Sequence, residues 1–200
     1  MKKLLLLLGV VSFLFSCNND YYIDTGVAKG KLDINMYEYF KTNHYDWDST
    51  RLIIDRAGLT DVFTGENPDY KQITFFGPTN HSIRQYMIKK GYKKVADIPV
   101  ADCASMIRKY IVKGKMMKED FAFEVKGTTD GGTIVTKDDG RDIRVFRRKS
   151  DYGSVVDAGP VSLYVQSYAI STTILVASAN IEPTNGVVHS LSYTHMFGDF

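Results

Sequence analysis

Ile73-Thr74-Phe75-Phe76-Gly77-Pro78-Thr79-Asn80 reads as a strand, a break and a helix start. The four β-branched and aromatic residues alternate with the period of two that a strand requires. Gly77-Pro78 ends the ladder, because proline has no N–H for the next rung. Thr79 or Asn80 then caps a helix whose apolar stripe is Ile83, Tyr86 and Met87. Lys89 and Lys90 suit its negative end, and Gly91 suits a left-handed stop.

Further along lies Ala179-Asn180-Ile181-Glu182-Pro183-Thr184-Asn185-Gly186-Val187-Val188-His189, a small-polar turn leading into an apolar strand. In this order, the two stretches resemble the opening and closing signatures of the fasciclin-like domain family. The resemblance covers roughly Leu32 to Phe197. It implies an α+β fold, a wedge-shaped, strongly twisted β-sandwich or broken barrel with several helices packed along one side. It also implies a binding or adhesion role. The family shows Tyr-His before an apolar pair where this chain has Tyr110-Ile111-Val112, so adhesion of the animal receptor type is not carried over.

Between the signatures, helical patterns come first and strand patterns follow, the order expected of an α+β domain. Asp33 is placed to cap a helix over 34–41, with Met36, Tyr37 and Phe40 as its stripe. A second helix starts at Asp48 or Ser49 and ends before Gly58. Trp47, the only tryptophan, is placed as a staple against Leu52 or as an exposed platform for sugar stacking. After Asp97 and Pro99, Val100, Cys103, Ile107, Tyr110 and Ile111 mark one helical face. Strands are then expected at 133–136, 142–148, 161–166, 174–177 and 186–193, with hairpin turn chemistry at Lys137-Asp138-Asp139-Gly140.

The chain has 200 residues, a net charge of +2 and 44% hydrophobic residues. That suits one domain with a core of its own, and no global field points to nucleic acid. Lys2 and Lys3 precede an uncharged apolar run, too short for a comfortable membrane span, that closes on Leu14-Phe15-Ser16-Cys17. This reads as a lipoprotein signal over residues 1–16, lipid on Cys17, a polar tether over 17–31 and the fasciclin-like domain over 32–200. Lipid on Cys17 would tie the chain to a membrane with no spanning helix. The expected location is the outer membrane of the cell envelope. Asp20 and Asp24 give a faint acidic tag that favours surface display, with the periplasmic face as the alternative. Cys103 then has no internal disulfide partner and reads as a small buried hydrophobe rather than a reactive thiol.

No nucleophile elbow, phosphate loop or paired-histidine metal motif is present, so neither catalysis nor a metal or cofactor is expected. His189 is expected to be structural, and Asp138-Asp139 a solvated turn. The one polar feature with binding content is basic. Arg141, Arg144, Arg147, Arg148 and Lys149 fall close together, with Tyr152, Tyr164 and Tyr168 following. As a solvated face, such a run protects a strand edge from pairing. As a site, it suits an acidic glycan, with tyrosines to stack on sugar rings. The functional expectation is a lipid-anchored adhesion module contacting an envelope or host-surface protein or matrix. The alternative is an accessory glycan-binding lipoprotein of an outer-membrane uptake system.

Overall fold

The computed structural model describes residues 30–168 and 171–200. The signal, Cys17 and the tether up to residue 29 lie outside the described residues. Helices α1 (Met36–Thr42), α2 (His44–Ala57) and α3 (Thr60–Thr64) precede strand β1 (Ile73–Gly77). Helices α4 (Asn80–Lys90) and α5 (Val100–Arg108) follow, then β2 (Ile111–Lys113), β3 (Thr133–Thr136) and β4 (Asp142–Lys149). The described chain closes with β5 (Val161–Ser167), β6 (Thr172–Ile181) and β7 (Gly186–Leu191). All seven strands form one sheet in the order β2-β1-β7-β6-β5-β4-β3.

The two signature strands lie side by side. β1 pairs with β7 in parallel, Ile73 opposite Gly186 and Gly77 opposite Ser190. β1 is buried on both faces. Phe75 meets Phe40 and Phe63 of the helical layer, with ring centroids at 5.7 and 5.0 Å. Phe76 turns the other way, to Phe121, His189 and Phe200 inside the curve of the sheet. One strand thus separates two apolar layers.

β6 carries the sheet around its corner. Its first part pairs with β5 and its second with β7, with register shifts near Ser178 and Ile181. Asn180 adopts φ 61° there, as a residue in a bulge can. Ala179 to Ile181 therefore prolong the strand instead of forming the expected turn. The far edge is drawn in by Asp138, whose N–H donates to the Ile111 carbonyl at 2.8 Å. The Asp138 carboxylate accepts from Tyr70 Oη at 2.6 Å and pairs with Arg108. It is buried, so this turn is a latch between the ends of the sheet and not the solvated feature expected. The result is a nearly closed, barrel-like sheet with helices packed against it, the α+β architecture that the resemblance implied.

Local signals decide several boundaries. Gly91 ends α4 at φ 74°, and Gly58 ends α2 in the same left-handed way. The cap of α1 is Asn35, which accepts from Glu38 N at 2.9 Å, and not Asp33. Helix α2 starts at His44, earlier than expected, because Asn43 O accepts from Asp46 N and Trp47 N. Trp47 is consequently inside the helix. It is buried and stacks on Phe40 at 4.9 Å, neither a staple on Leu52 nor an exposed platform. A Cβ on Gly77 would overlap its ring.

Thr79 occupies the cap position of α4 but makes no side-chain cap bond. Asn80 reaches sideways instead. Its amide donates to His44 O and Tyr45 O at 2.8 Å each, and its oxygen accepts from Ser49 N at 2.6 Å. This fastens α4 to the first turns of α2. Helix α5 ends at Arg108, so Tyr110 and Ile111 leave the helical face expected for them, and Ile111 opens β2. Val100 is exposed.

Asn185 and Gly186 are where the backbone is most constrained. Asn185 Oδ1 accepts from Met36 N at 2.8 Å, and its Nδ2 donates to Phe63 O at 2.9 Å. A Cβ on Gly186, at φ 154°, would lie 2.0 Å from Ile73 O. Asn185→Ala is expected to cost about 2–3 kcal/mol, from two backbone groups left unpaired in the interior. Gly186→Val should cost about 3 kcal/mol or more, through strain and forced separation of β1 from β7. Urea unfolding of the two variants measures both; midpoints equal to wild type would contradict this account of the turn.

Candidate functional site

β4 lies between β3 and β5, and its alternation divides the basic run. Ile143 and Val145 point into the core. Arg144, Phe146 and Arg148 project from the opposite face, where β5 sets Tyr164 directly across from Phe146. The Phe146 and Tyr164 rings stack with centroids 5.5 Å apart. Arg144 lies over Phe146 at 4.3 Å and Arg148 over Tyr164 at 4.5 Å.

Both guanidiniums are used within the fold. Arg144 is only 4% exposed. It donates to Gly131 O at 2.8 Å, Asp130 O at 2.5 Å and Gln166 Oε1 at 3.0 Å. Arg148 forms a two-bond pair with Glu124, with Nη2 to Oε2 at 2.8 Å. The Glu124 carboxyl is held below its usual range, chiefly by that arginine. These two arginines clamp the 121–132 segment onto β4. They are not free cations for a ligand.

Arg147 and Lys149 belong to the other face and end of the strand. They lie over the partly exposed Phe123 ring at 4.1 and 5.2 Å. A cleft of about 190 Å³ opens there, lined by Phe123, Glu124, Lys126, Arg147, Lys149 and Asp157. Lys126 bonds Asp151 at 3.1 Å and Asp157 at 2.5 Å, joining the 121–132 and 150–160 loops. Tyr152 stands near the tip of the second loop, 74% exposed.

Arg141 and Tyr168 are at the opposite end, since Ser167 pairs with Ile143 while Val161 pairs with Lys149. The expected site is thus three places: a structural clamp, a loop end and the mouth of the sheet. Arg141, Asp142, Ser167, Tyr168 and Lys137 line an open cleft of about 490 Å³ at that mouth. Sequence reading missed Lys137 by placing it in a turn. The available signal was its position two residues after Val135, which continues the inward row of β3. Its side chain is buried, with Nζ 3.4 Å from Asp139 Oδ2 and 5.3 Å from the Phe200 ring centre. Burial pulls this ammonium below its usual range, Asp139 opposes the shift, and Lys109 and Arg141 add to it.

The remaining titratable groups of the interior are structural. His189 Nδ1 accepts from Asn180 N at 3.3 Å, so its Nε2 donates to Met116 O at 2.9 Å. Tyr110 Oη accepts from Gly198 N at 2.8 Å and shares a 2.9 Å hydrogen bond with His195 Nε2. The imidazole beside Tyr110 is therefore His195, while Ile111 is fully buried. Cys103 is buried, which pushes its thiol up and away from reactivity. Among the described residues, no group of three His, Cys, Asp or Glu could hold a metal ion. Among them, too, no helix is long and apolar enough to cross a membrane.

With a parallel signature pair, a bulged corner strand and a helical layer in place, comparison with known proteins decides the family. A family model described as the Fasciclin domain matches residues 46–194. The chain belongs to the fasciclin domain family. Among solved structures it is similar to a FAS1 domain pair from the insect cell adhesion molecule fasciclin I, at 14% identity and a TM-score of 0.45. That match covers 82% of this chain and 45% of the other, so this fasciclin domain spans under half of that domain pair. A comparison with curated proteins finds no match. Outside the family match, Met36 and Phe40 before it and Phe197 and Phe200 after it are all buried in the domain.

Arg144→Ala should destabilise this fasciclin domain by about 2–3 kcal/mol, because it removes three charge-assisted bonds, to the 121–132 segment and to Gln166, and uncovers Phe146. Arg141→Ala, at an exposed side chain, should change stability by less than about 0.5 kcal/mol. Chemical unfolding of the pair checks this contrast.

Burial also pushes His189 and His195 down to about 4. A histidine held neutral in the fold stabilises it fully above the unfolded value of about 6.5. That stability is lost as pH falls from there towards 4, with a ceiling of roughly 3 kcal/mol for each residue. Urea midpoints measured from pH 7 to 4 should fall, and should fall less steeply in His189→Gln.

Proposed function

We propose that the chain is a non-catalytic binding module, held to the outer membrane by lipid on Cys17. In this reading it makes adhesive contacts with an envelope or host-surface protein through the loop end of the sheet. The observation that carries it is the surface formed there by the 121–132 and 150–160 loops. Val155 and Val156 are 60% and 70% exposed, and Tyr152 in the same loop and Val125 in the 121–132 loop are 74% and 52% exposed. Arg147 and Lys149 border the same end.

Apolar side chains left in water beside cations suit a partner with an apolar centre and carboxylates at its rim. The Lys126 pairs with Asp151 and Asp157 hold the two loops together, which lowers the ordering cost of a contact. Leu14-Phe15-Ser16-Cys17 after an uncharged apolar run supports the anchor. The second reading, an accessory glycan-binding lipoprotein serving uptake, draws its support from the cleft at the other end of β4 and β5.

Two measurements test the proposal. Mass spectrometry of the mature amino terminus should find Cys17 carrying acyl chains, and another terminus would remove the anchor. Val156→Asp should abolish retention of the partner captured by wild type from envelope extracts, at an unchanged melting temperature. Equal retention by both proteins would remove the loop end as the contact.

A further inference from the structure

We infer that the mouth of the sheet between β3, β4 and β5 binds an acidic saccharide, its carboxylate or sulfate held by Lys137, Arg141 and Ser167. The three residues extend the inward rows of their strands past the end of the core. Lys137 follows Val135, Arg141 precedes Ile143, and Ser167 follows Leu163 and Val165, the four apolar residues being buried. Their side chains thus gather where the apolar filling stops.

The donors at this mouth outnumber their acceptors. An ammonium has three protons to donate, yet Lys137 has one bond among the described residues, the long one to Asp139. Among the described residues, the Arg141 side chain makes only a 3.9 Å contact, with the same carboxylate. The Ser167 side chain bonds to no described residue and is 1% exposed. Of the carboxylates nearby, Asp139 is shared between the two cations, and Asp142 already accepts from Thr136 Oγ1 at 2.7 Å. Lys109, a further cation close to Lys137, is engaged by Gly198 O at 3.0 Å. A buried, under-bonded ammonium beside a second cation is costly without an anion. An oxyanion entering the cleft would complete the bonds of Lys137 and meet the planar fork of Arg141.

The cleft also fits the rest of such a ligand. About 490 Å³ is within the range of small-molecule sites, whereas a protein partner needs a broad, flatter face. Tyr168, 54% exposed on the wall, offers a ring for a sugar face to pack on. The inference rests on the second reading of the function, glycan binding, and is independent of the loop-end contact, which lies at the other end of β4 and β5.

Calorimetric titration of the full chain in neutral detergent tests it, using trigalacturonate, a sulfated heparin tetrasaccharide and neutral galactotriose. Wild type should bind at least one of the acidic probes, more weakly as salt rises, and should not bind galactotriose. Arg141→Ala and Lys137→Met should each weaken that binding by roughly tenfold or more, the effect of losing one charge-assisted contact. Lys90→Ala, which removes an exposed cation elsewhere, should leave it unchanged. No binding of either acidic probe, equal binding of galactotriose, or wild-type affinity in Arg141→Ala would overturn the inference. Because Arg141 is exposed and its removal spares the fold, that last outcome can be read even where Lys137→Met does not fold. Envelope capture by the loop end is read separately, so either reading can fail alone.

Discussion

The absence of a side chain at Gly186 is the constraint on which the rest of the structure depends. With no Cβ there, the backbone of β7 lies against Ile73, and β1 and β7 pair in parallel along their length. Parallel pairing leaves no short hairpin to set the register. Asn185 supplies it instead, bonding Met36 of α1 and Phe63 of α3 just before the strand begins. The helical layer and the sheet are thereby indexed to each other at one residue. Once β1 is fixed, Phe75 and Phe76 must serve opposite layers, and both aromatic clusters follow.

Polar groups in the interior repeat this logic. Thr50 Oγ1 donates to Pro78 O at 2.5 Å, filling the need of a carbonyl at the strand's end. Asn80 supplies two donors and an acceptor to the backbone of α2. His189 bridges Asn180 and Met116 with its two nitrogens in one tautomer. Each is a directional contact between segments distant in sequence, and each would leave backbone groups unpaired if the segments shifted. Apolar packing supplies the driving force, while these contacts select one arrangement.

What could be read from the chain followed the range of the interaction. The signature strands, the left-handed stops at Gly58 and Gly91 and the turn at Gly140 depend on neighbours within a few residues, and they were legible. Trp47 was not, because its burial depends on the bare backbone of Gly77 in another element. The Tyr110–His195 contact was not, because it joins β2's approach to the end of the described chain. Asp138 looked like turn chemistry, since its partners Tyr70 and Arg108 lie in the helical half. Local propensity says nothing about a partner that arrives through the fold.

The basic run shows how the same residues take different roles once a strand is placed. Period two sends Arg144 and Arg148 to one face of β4 and Arg141, Arg147 and Lys149 to the other. The 121–132 segment pairs edge-on with β4 at Arg147, and on the first face the guanidiniums bond its carbonyls and the Glu124 carboxylate and stack on Phe146 and Tyr164. The second face is filled by Ile143 and Val145 in the middle, which leaves room for cations only at the two ends. Charge density in the sequence therefore marks a strand with two polar ends and a clamped outer face, not one continuous patch. At the end that Lys137 joins, one carboxylate, Asp139, is shared between two cations, while at the other end Arg147 and Lys149 rest on the Phe123 ring. That difference comes from where the core stops, which no count of arginines along the chain can convey.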